Sequence, residues 1–211
     1  LGAMNIWFDE TVRRLNIDEN GKYLGAFKGN DRLLGIMENG EYLNYGFDLT
    51  THFDEDMVYL EKFNPDKIWT AIYFEGESGY YYVKRFTLAE TDKRISLITE
   101  HPDSRLVYLS GNHNPKARLI FNKERGPKNR EDELIELNDF IAVKGYKAKG
   151  KRLSSYAVDD IKLIEPEESE PEQHQEIATE NQEKQEEVSG ETDSGLSDPD
   201  DDKLNQRTLF D

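Results

Sequence analysis

The chain contains no cysteine, which removes both disulfide frameworks and thiolate metal sites. No apolar run approaches the roughly 20 residues that a membrane-spanning helix needs, and nothing follows the pattern of a secretory signal. The expected compartment is the cytoplasm. Leu1-Gly2-Ala3 ahead of Met4 reads as a cloning remnant occupying residues 1–4. Histidine is scarce as well: His52, His101, His113 and His174 stand far apart, and no pair has metal-ligand spacing. Helical periodicity is nearly missing. Only residues 129–138, NREDELIELN, suggest one short helical turn.

Positive charge is in deficit overall, with 27 Lys and Arg against 44 Asp and Glu and a net charge of −17. The deficit is local. Residues 165–211 hold 17 acids and 3 bases, so residues 1–164 carry only −3. Phe210 is the only aromatic beyond Tyr156, whereas both Trp and all eleven Tyr precede it. So polar a segment cannot bury enough apolar surface to offset its ordering entropy. Residues 166–211 therefore read as a disordered acidic tail, and residues 5–165 as the part that builds a core.

Within that body, strand-like runs rich in β-branched and aromatic residues recur around Gly/Asn turns. They begin at Arg32, Lys67, Arg105 and Asp139, spaced 35, 38 and 34 residues apart. Asn39-Gly40, the Glu75–Gly79 segment and Gly111-Asn112 supply residues that tolerate positive φ, so each unit reads as a β-hairpin. An earlier Asn20-Gly21 turn separates two more short strands. Repetition at this period predicts an all-β, propeller-like array of about four hairpin repeats; an irregular sandwich with evenly spaced hairpins is the alternative.

Gly145 to Lys151 reads G-x-x-x-x-G-K, most of a phosphate-binding P-loop. The magnesium-holding Ser/Thr is replaced by Arg152, and the following RLSSYAVDDIKLI alternates as a strand where a helix should open. A nucleotide-binding α/β domain has no room here. Gly76-Glu77-Ser78-Gly79 is one residue short of a nucleophile elbow, and Asp54-Glu55-Asp56 reads as a solvated loop. No catalytic constellation, metal site or cofactor is expected in this chain.

The cations stand out instead. Residues 116–152 hold eleven Lys and Arg against six Asp and Glu, inside an acidic protein. They cluster on two Gly-containing turns, NKERGPKNR (122–130) and KGYKAKGKR (144–152). Glycines among cations let a polyanion approach main-chain amides and long basic side chains together. Lys144, Lys147, Lys149, Lys151 and Arg152 are the main candidate phosphate contacts. Arg125, Lys128 and Arg130 extend the track, and Lys116, Arg118, Lys84 and Arg85 are weaker candidates. A protein-binding propeller, its cations ordinary surface charge, is the rival reading.

IWFDETVRRLNIDENGKYLGAF, YYYVKRFTL and DFIAVKGYKAKGKRLSSY, in this order, resemble the C-terminal domain of the A subunit of bacterial type IIA DNA topoisomerases. The likeness is strongest to the gyrase-like and topoisomerase IV-like subunits of Bacteroidetes and covers about residues 5–165. It implies a β-pinwheel whose basic rim binds and bends duplex DNA and presents the transport segment. By the same resemblance, the catalytic tyrosine and the ATP-hydrolysing B subunit lie outside this chain, which is then no enzyme by itself. The Gln-Arg-Arg-Gly-Gly-Lys-Gly box of gyrases does not occur; the segment 123–129 keeps only Arg125, Gly126 and Lys128 of it. Decatenation and relaxation are thus implied ahead of supercoiling. Near the chain end, Gln206, Leu209 and Phe210 resemble the Gln-x-x-Leu-Phe peptide that enters the sliding-clamp pocket, with Arg207 where Leu is usual.

Overall fold

The computed structural model describes residues 2–124 and 130–166, so the acidic tail, Arg125, Lys128 and the Gln206–Phe210 motif lie outside the described residues. The strands follow the alternation of apolar residues. β1 (Met4–Asp9), β2 (Arg14–Asn16) and β3 (Lys22–Phe27) form a first sheet in the order β2-β1-β3. β4 (Leu33–Met37), β5 (Glu41–Tyr45) and β6 (Met57–Lys62) open a second. A third is built on the hairpin of β7 (Trp69–Glu75) and β8 (Tyr80–Thr87), and β9 (Ile95–Ser96) returns to the edge of β5.

β10 (Arg105–Ser110) pairs with β7, and β11 (Lys116–Phe121) begins the fourth sheet with β12 (Glu133–Glu136) and β15 (Val158–Ile164). Between these lie the four-residue helix α1 (Leu137–Phe140), β13 (Val143–Gly145) and β14 (Lys151–Arg152). The expected helical turn thus falls later than residues 129–138, because residues 133–136 pair with β11 as a strand.

Three apolar clusters join these four sheets in series. Ile6, Phe8 and Phe27 of the first sheet meet Leu33, Met37 and Leu60 of the second. Leu34, Ile36 and Tyr42 of the second meet Trp69, Ala71 and Phe86 of the third. Ile72 and Val83 of the third meet Leu119, Phe121, Ile135 and Ile161 of the fourth. Side chains alternate across a strand, so β4 sends Leu33 and Met37 to one interface and Leu34 and Ile36 to the next. This is why all five of its residues are buried. Each fully buried Leu, Ile or Phe contributes about 1.5–3 kcal/mol, and a strand shared by two interfaces couples them. At Gly35 any Cβ would stand 2.7 Å from the Tyr45 ring, so only glycine admits that packing.

The all-β, four-unit expectation holds, and two of the four hairpins are present. Asn39-Gly40 closes β4–β5, with Gly40 at φ 85°, and Glu75–Gly79 closes β7–β8, with Gly79 at φ 73°. The other two are corrected. β10 and β11 belong to different sheets, and the turn between them, with Asn114 at φ 60°, carries the chain across an interface. Leu109 packs in the cluster between the second and third sheets while Leu119 packs in the next one, and a hairpin would place both strands in one sheet. β13 and β14 also do not pair with each other. Both lie along the same edge of β8.

Candidate nucleic-acid interface

The segment 143–152 is a strap on the free edge of β8. β13 runs parallel to β8 beside Arg85, Phe86 and Thr87, and β14 runs antiparallel beside Tyr82 and Val83. Between them the chain bulges outward through residues 146–150. Gly150, at φ 95°, brings it back; a Cβ there would strike the Val83 carbonyl oxygen, so the return requires glycine.

Lys144, Lys147, Lys149, Lys151 and Arg152 are all exposed on this strap. Aromatic rings set several of them in place. Lys149 Nζ lies 4.9 Å from the Tyr82 ring centre, Arg152 Cζ 4.4 Å from Tyr80, Lys151 Nζ 3.8 Å from Phe140 and Lys147 Nζ 5.8 Å from Tyr146. Such stacking holds a cation while leaving its N–H groups free for another acceptor. Lys151 also donates to the Phe140 carbonyl at 3.1 Å. Only Lys149 has an acidic partner among the described residues, Glu75 at 3.3 Å.

Buried groups beneath the strap fix its course. The Tyr73 hydroxyl donates to the Lys149 carbonyl at 2.6 Å. Glu75, 1% exposed, accepts from the Ser78 amide at 2.9 Å and the Thr99 hydroxyl at 3.3 Å. Hydrogen bonding from Ser78, opposed by burial and assisted by Lys149 and the Glu77 amide, holds its carboxyl down at about 2. It therefore stays charged and keeps Lys149 in register.

Lys84 corrects the sequence reading. It is 3% exposed, and its ammonium donates to the Leu97 carbonyl at 2.7 Å and to the Tyr146 carbonyl. Burial pushes its pKa down to about 8. It is an internal strut for the strap and cannot reach a phosphate. Arg85 is likewise engaged: half-buried, it donates to the Asn138 and Ile141 carbonyls at 3.4 and 3.3 Å and braces the α1 turn. Burial lowers its pKa too.

The fourth sheet holds a second basic surface. Arg118 is exposed on β11, and its cross-strand partner on β15 is Lys162, which the sequence reading left out. Like charges directly opposite each other destabilise a sheet unless an anion sits between them. Lys116, two residues away and so on the same face, is paired with Glu136 at 2.7 Å. Arg130 pairs with Glu133 at 3.2 Å and stacks between Phe121 and Tyr156, at 4.5 and 4.0 Å. Among the described residues no group of three or more His, Asp or Glu is placed to hold a metal ion, and no helix is long and apolar enough to cross a membrane.

The described residues thus form an all-β set of packed sheets, with exposed cations gathered on one strand edge and one outer face. The family is specific. Residues 14–165 match the family model for the topoisomerase C-terminal domain of Bacteroidota, and the chain belongs to that family. No curated protein matches it by sequence. A solved structure described as the crystal structure of the C-terminal domain of DNA topoisomerase IV is similar over 79% of this chain and 62% of that one, at 13% identity and a TM-score of 0.45.

Proposed function

We propose that this domain binds duplex DNA without reading its sequence, bends it, and presents the transport segment to a type IIA topoisomerase core for decatenation or relaxation. The observation that carries this reading is the strap. Five exposed cations lie within nine residues, and four of them have no carboxylate partner among the described residues. Contacts of this kind position a duplex through its phosphates and carry no sequence information. The facing Arg118–Lys162 pair supports a second contact. Lys84 and Arg85 act here only by holding the strap. The catalytic tyrosine and the ATPase subunit belong to the remainder of that enzyme, in the cytoplasm on the nucleoid. A gel shift of the chain on mixed-sequence duplexes across a salt series tests the reading. About six contacts give a log–log slope near −5, whereas a protein-binding module gives no salt-dependent shift.

The tail is assigned a tuning role. A segment of net −14 tethered to the same chain competes with DNA at high effective concentration. Deleting residues 166–211 is expected to tighten DNA binding, mainly near 0.01 M salt, where the Debye length is about 30 Å. Equal affinities of the two chains in a low-salt titration would reduce the tail to a solubiliser.

The terminal Gln206, Leu209 and Phe210 are assigned to sliding-clamp docking, on the strength of the sequence match alone. Burying Leu209 and Phe210 contributes roughly 3–6 kcal/mol before ordering costs, so binding is expected in the micromolar range. Fluorescence anisotropy of a labelled 201–211 peptide against the host clamp checks this. A Leu209→Ala, Phe210→Ala peptide that binds equally well would refute it.

A further inference from the structure

Where β14 ends, the strap leaves β8. The Leu153 amide still donates to the Tyr81 carbonyl at 2.9 Å, and beyond it the chain turns away through residues 154–157 toward β15. The divergence opens a cleft of about 390 Å³ between the tip of the β7–β8 hairpin and the start of the fourth sheet. This lies within the roughly 300–1,000 Å³ range of clefts that hold small ligands or single ligand groups.

Its walls are unusual for the junction of two sheets. Phe74, Tyr80, Tyr81 and Tyr156 all line it, with Ser78 and Ser154 supplying hydroxyls. None of the four rings is buried, and Tyr156 is 42% exposed. Three of them carry a guanidinium: Arg105 lies 4.4 Å from the centre of Phe74, Arg152 4.4 Å from Tyr80 and Arg130 4.0 Å from Tyr156. Arg130 is partly offset by Glu133. Neither Arg105 nor Arg152 has a carboxylate partner among the described residues.

We propose that this cleft takes an unpaired nucleobase of a DNA strand whose phosphates follow the strap. The inference rests on the DNA-binding reading and extends it to a second kind of DNA. Each aromatic ring has two faces and the guanidinium covers one, so a base can stack on the other face or on the guanidinium plane itself. The phosphates flanking that base would meet Arg152 on one side and Arg130 on the other. A fully paired duplex cannot use the cleft, because its bases are already stacked on one another. Stacking tolerates any base, and hydroxyls at Ser78 and Ser154 can serve the edges of purines and pyrimidines alike. The cleft therefore suits a single strand, a gap or a frayed end, and it adds no sequence preference.

The test uses the full chain with two labelled probes, an oligothymidylate of about 20 nucleotides and a mixed-sequence duplex of equal length, in fluorescence anisotropy. Tyr80→Ala and Tyr156→Ala are compared with Tyr80→Phe and Tyr156→Phe, which keep the ring and report on any loss of folding. Loss of one stacked base should weaken oligothymidylate binding by about 5–150-fold. Duplex binding should fall far less, because Arg152 and Arg130 keep their charge when the ring beside them is lost, and an equal loss on both probes would refute the stacking site; the Phe variants should behave as wild type. If duplex binds but the Ala variants hold oligothymidylate as tightly as wild type, the stacking site is refuted and the duplex reading stands. If neither probe binds the wild-type chain, both readings fall.

Discussion

Replacing Lys147, Lys149, Lys151 and Arg152 together with Ala is expected to flatten the salt dependence of duplex binding by roughly 3 to 4 log–log units, about one per lost phosphate contact. If the wild-type and variant lines converge near 1 M salt, affinity at 0.1 M falls by about 10³-fold, equally for every DNA sequence. The structure ranks the four contributions. Lys149 already faces Glu75 and Lys151 already bonds the Phe140 carbonyl, so each exchanges a partner when it meets a phosphate. Lys147 and Arg152 have only an aromatic ring to leave or keep, and their single replacements should each cost more than that of Lys149. Fold integrity is not at stake, because all four side chains are exposed, the strap is held by its backbone and by Tyr73 and Lys84, and Glu75, on losing Lys149, keeps its bonds from Ser78 and Thr99. Unchanged affinity of the fourfold variant at low salt would remove the strap from the interface.

The strap itself was legible as chemistry before it was legible as structure. Its cation density and glycines are local properties, visible in nine consecutive residues. Its geometry is not local. The G-x-x-x-x-G-K spacing has the glycines of a tight hairpin, yet the two arms pair with β8, fifty to seventy residues earlier, and nothing in the segment names that partner. The same ambiguity misplaced the third repeat. Gly111-Asn112 and Asn114 supply the positive-φ tolerance that either a hairpin or a crossover needs, so turn chemistry marks where the chain bends without saying which sheet it enters. The hairpins at Asn39-Gly40 and Glu75–Gly79 were read correctly because only a few residues separate their strands and both arms feed the same interfaces.

The misplacement of Lys84 had a readable signal. In YYYVKRFT, residues 80, 82, 84 and 86 share one face of β8 by the period of two. Phe86 on that face is fully buried against Trp69 and Ile36, so a lysine two positions earlier points toward the same layer. Charge prompted a surface assignment, and pleat parity argued for the interior. Lys162 was passed over for a related reason: it lies outside the two dense clusters, and only the register of β11 against β15 sets it opposite Arg118.

That buried lysine yields the second large expectation, a pH-dependent stability. Lys84 titrates near 8 in the folded chain, against an ordinary value of 10.5, because burial disfavours the ammonium. Between those two values the unfolded chain retains a proton that the folded chain has released, so stability rises with pH across pH 8 to 10.5. Below pH 8 both states carry the charge and the whole cost of burying it is present. At 1.36 kcal/mol per unit the gain is at most about 3 kcal/mol. The Leu97 and Tyr146 carbonyls hold the ammonium and reduce it. Burial also raises the hydroxyls of Tyr42 and Tyr73, which acts in the opposite sense as pH climbs past 10, so the wild-type profile alone is not diagnostic. The difference between wild type and Lys84→Met isolates the lysine, since Met fills a similar volume without a titrating group. Urea unfolding from pH 7 to 10.5 should show wild type gaining on the variant by 1–3 kcal/mol over that window. At pH 7 the variant should also bind duplex DNA more weakly, because the Tyr146 carbonyl loses the donor that fixes the strap. A flat difference profile would mean that the two carbonyls fully compensate the burial, and that Lys84 stays charged inside the fold throughout.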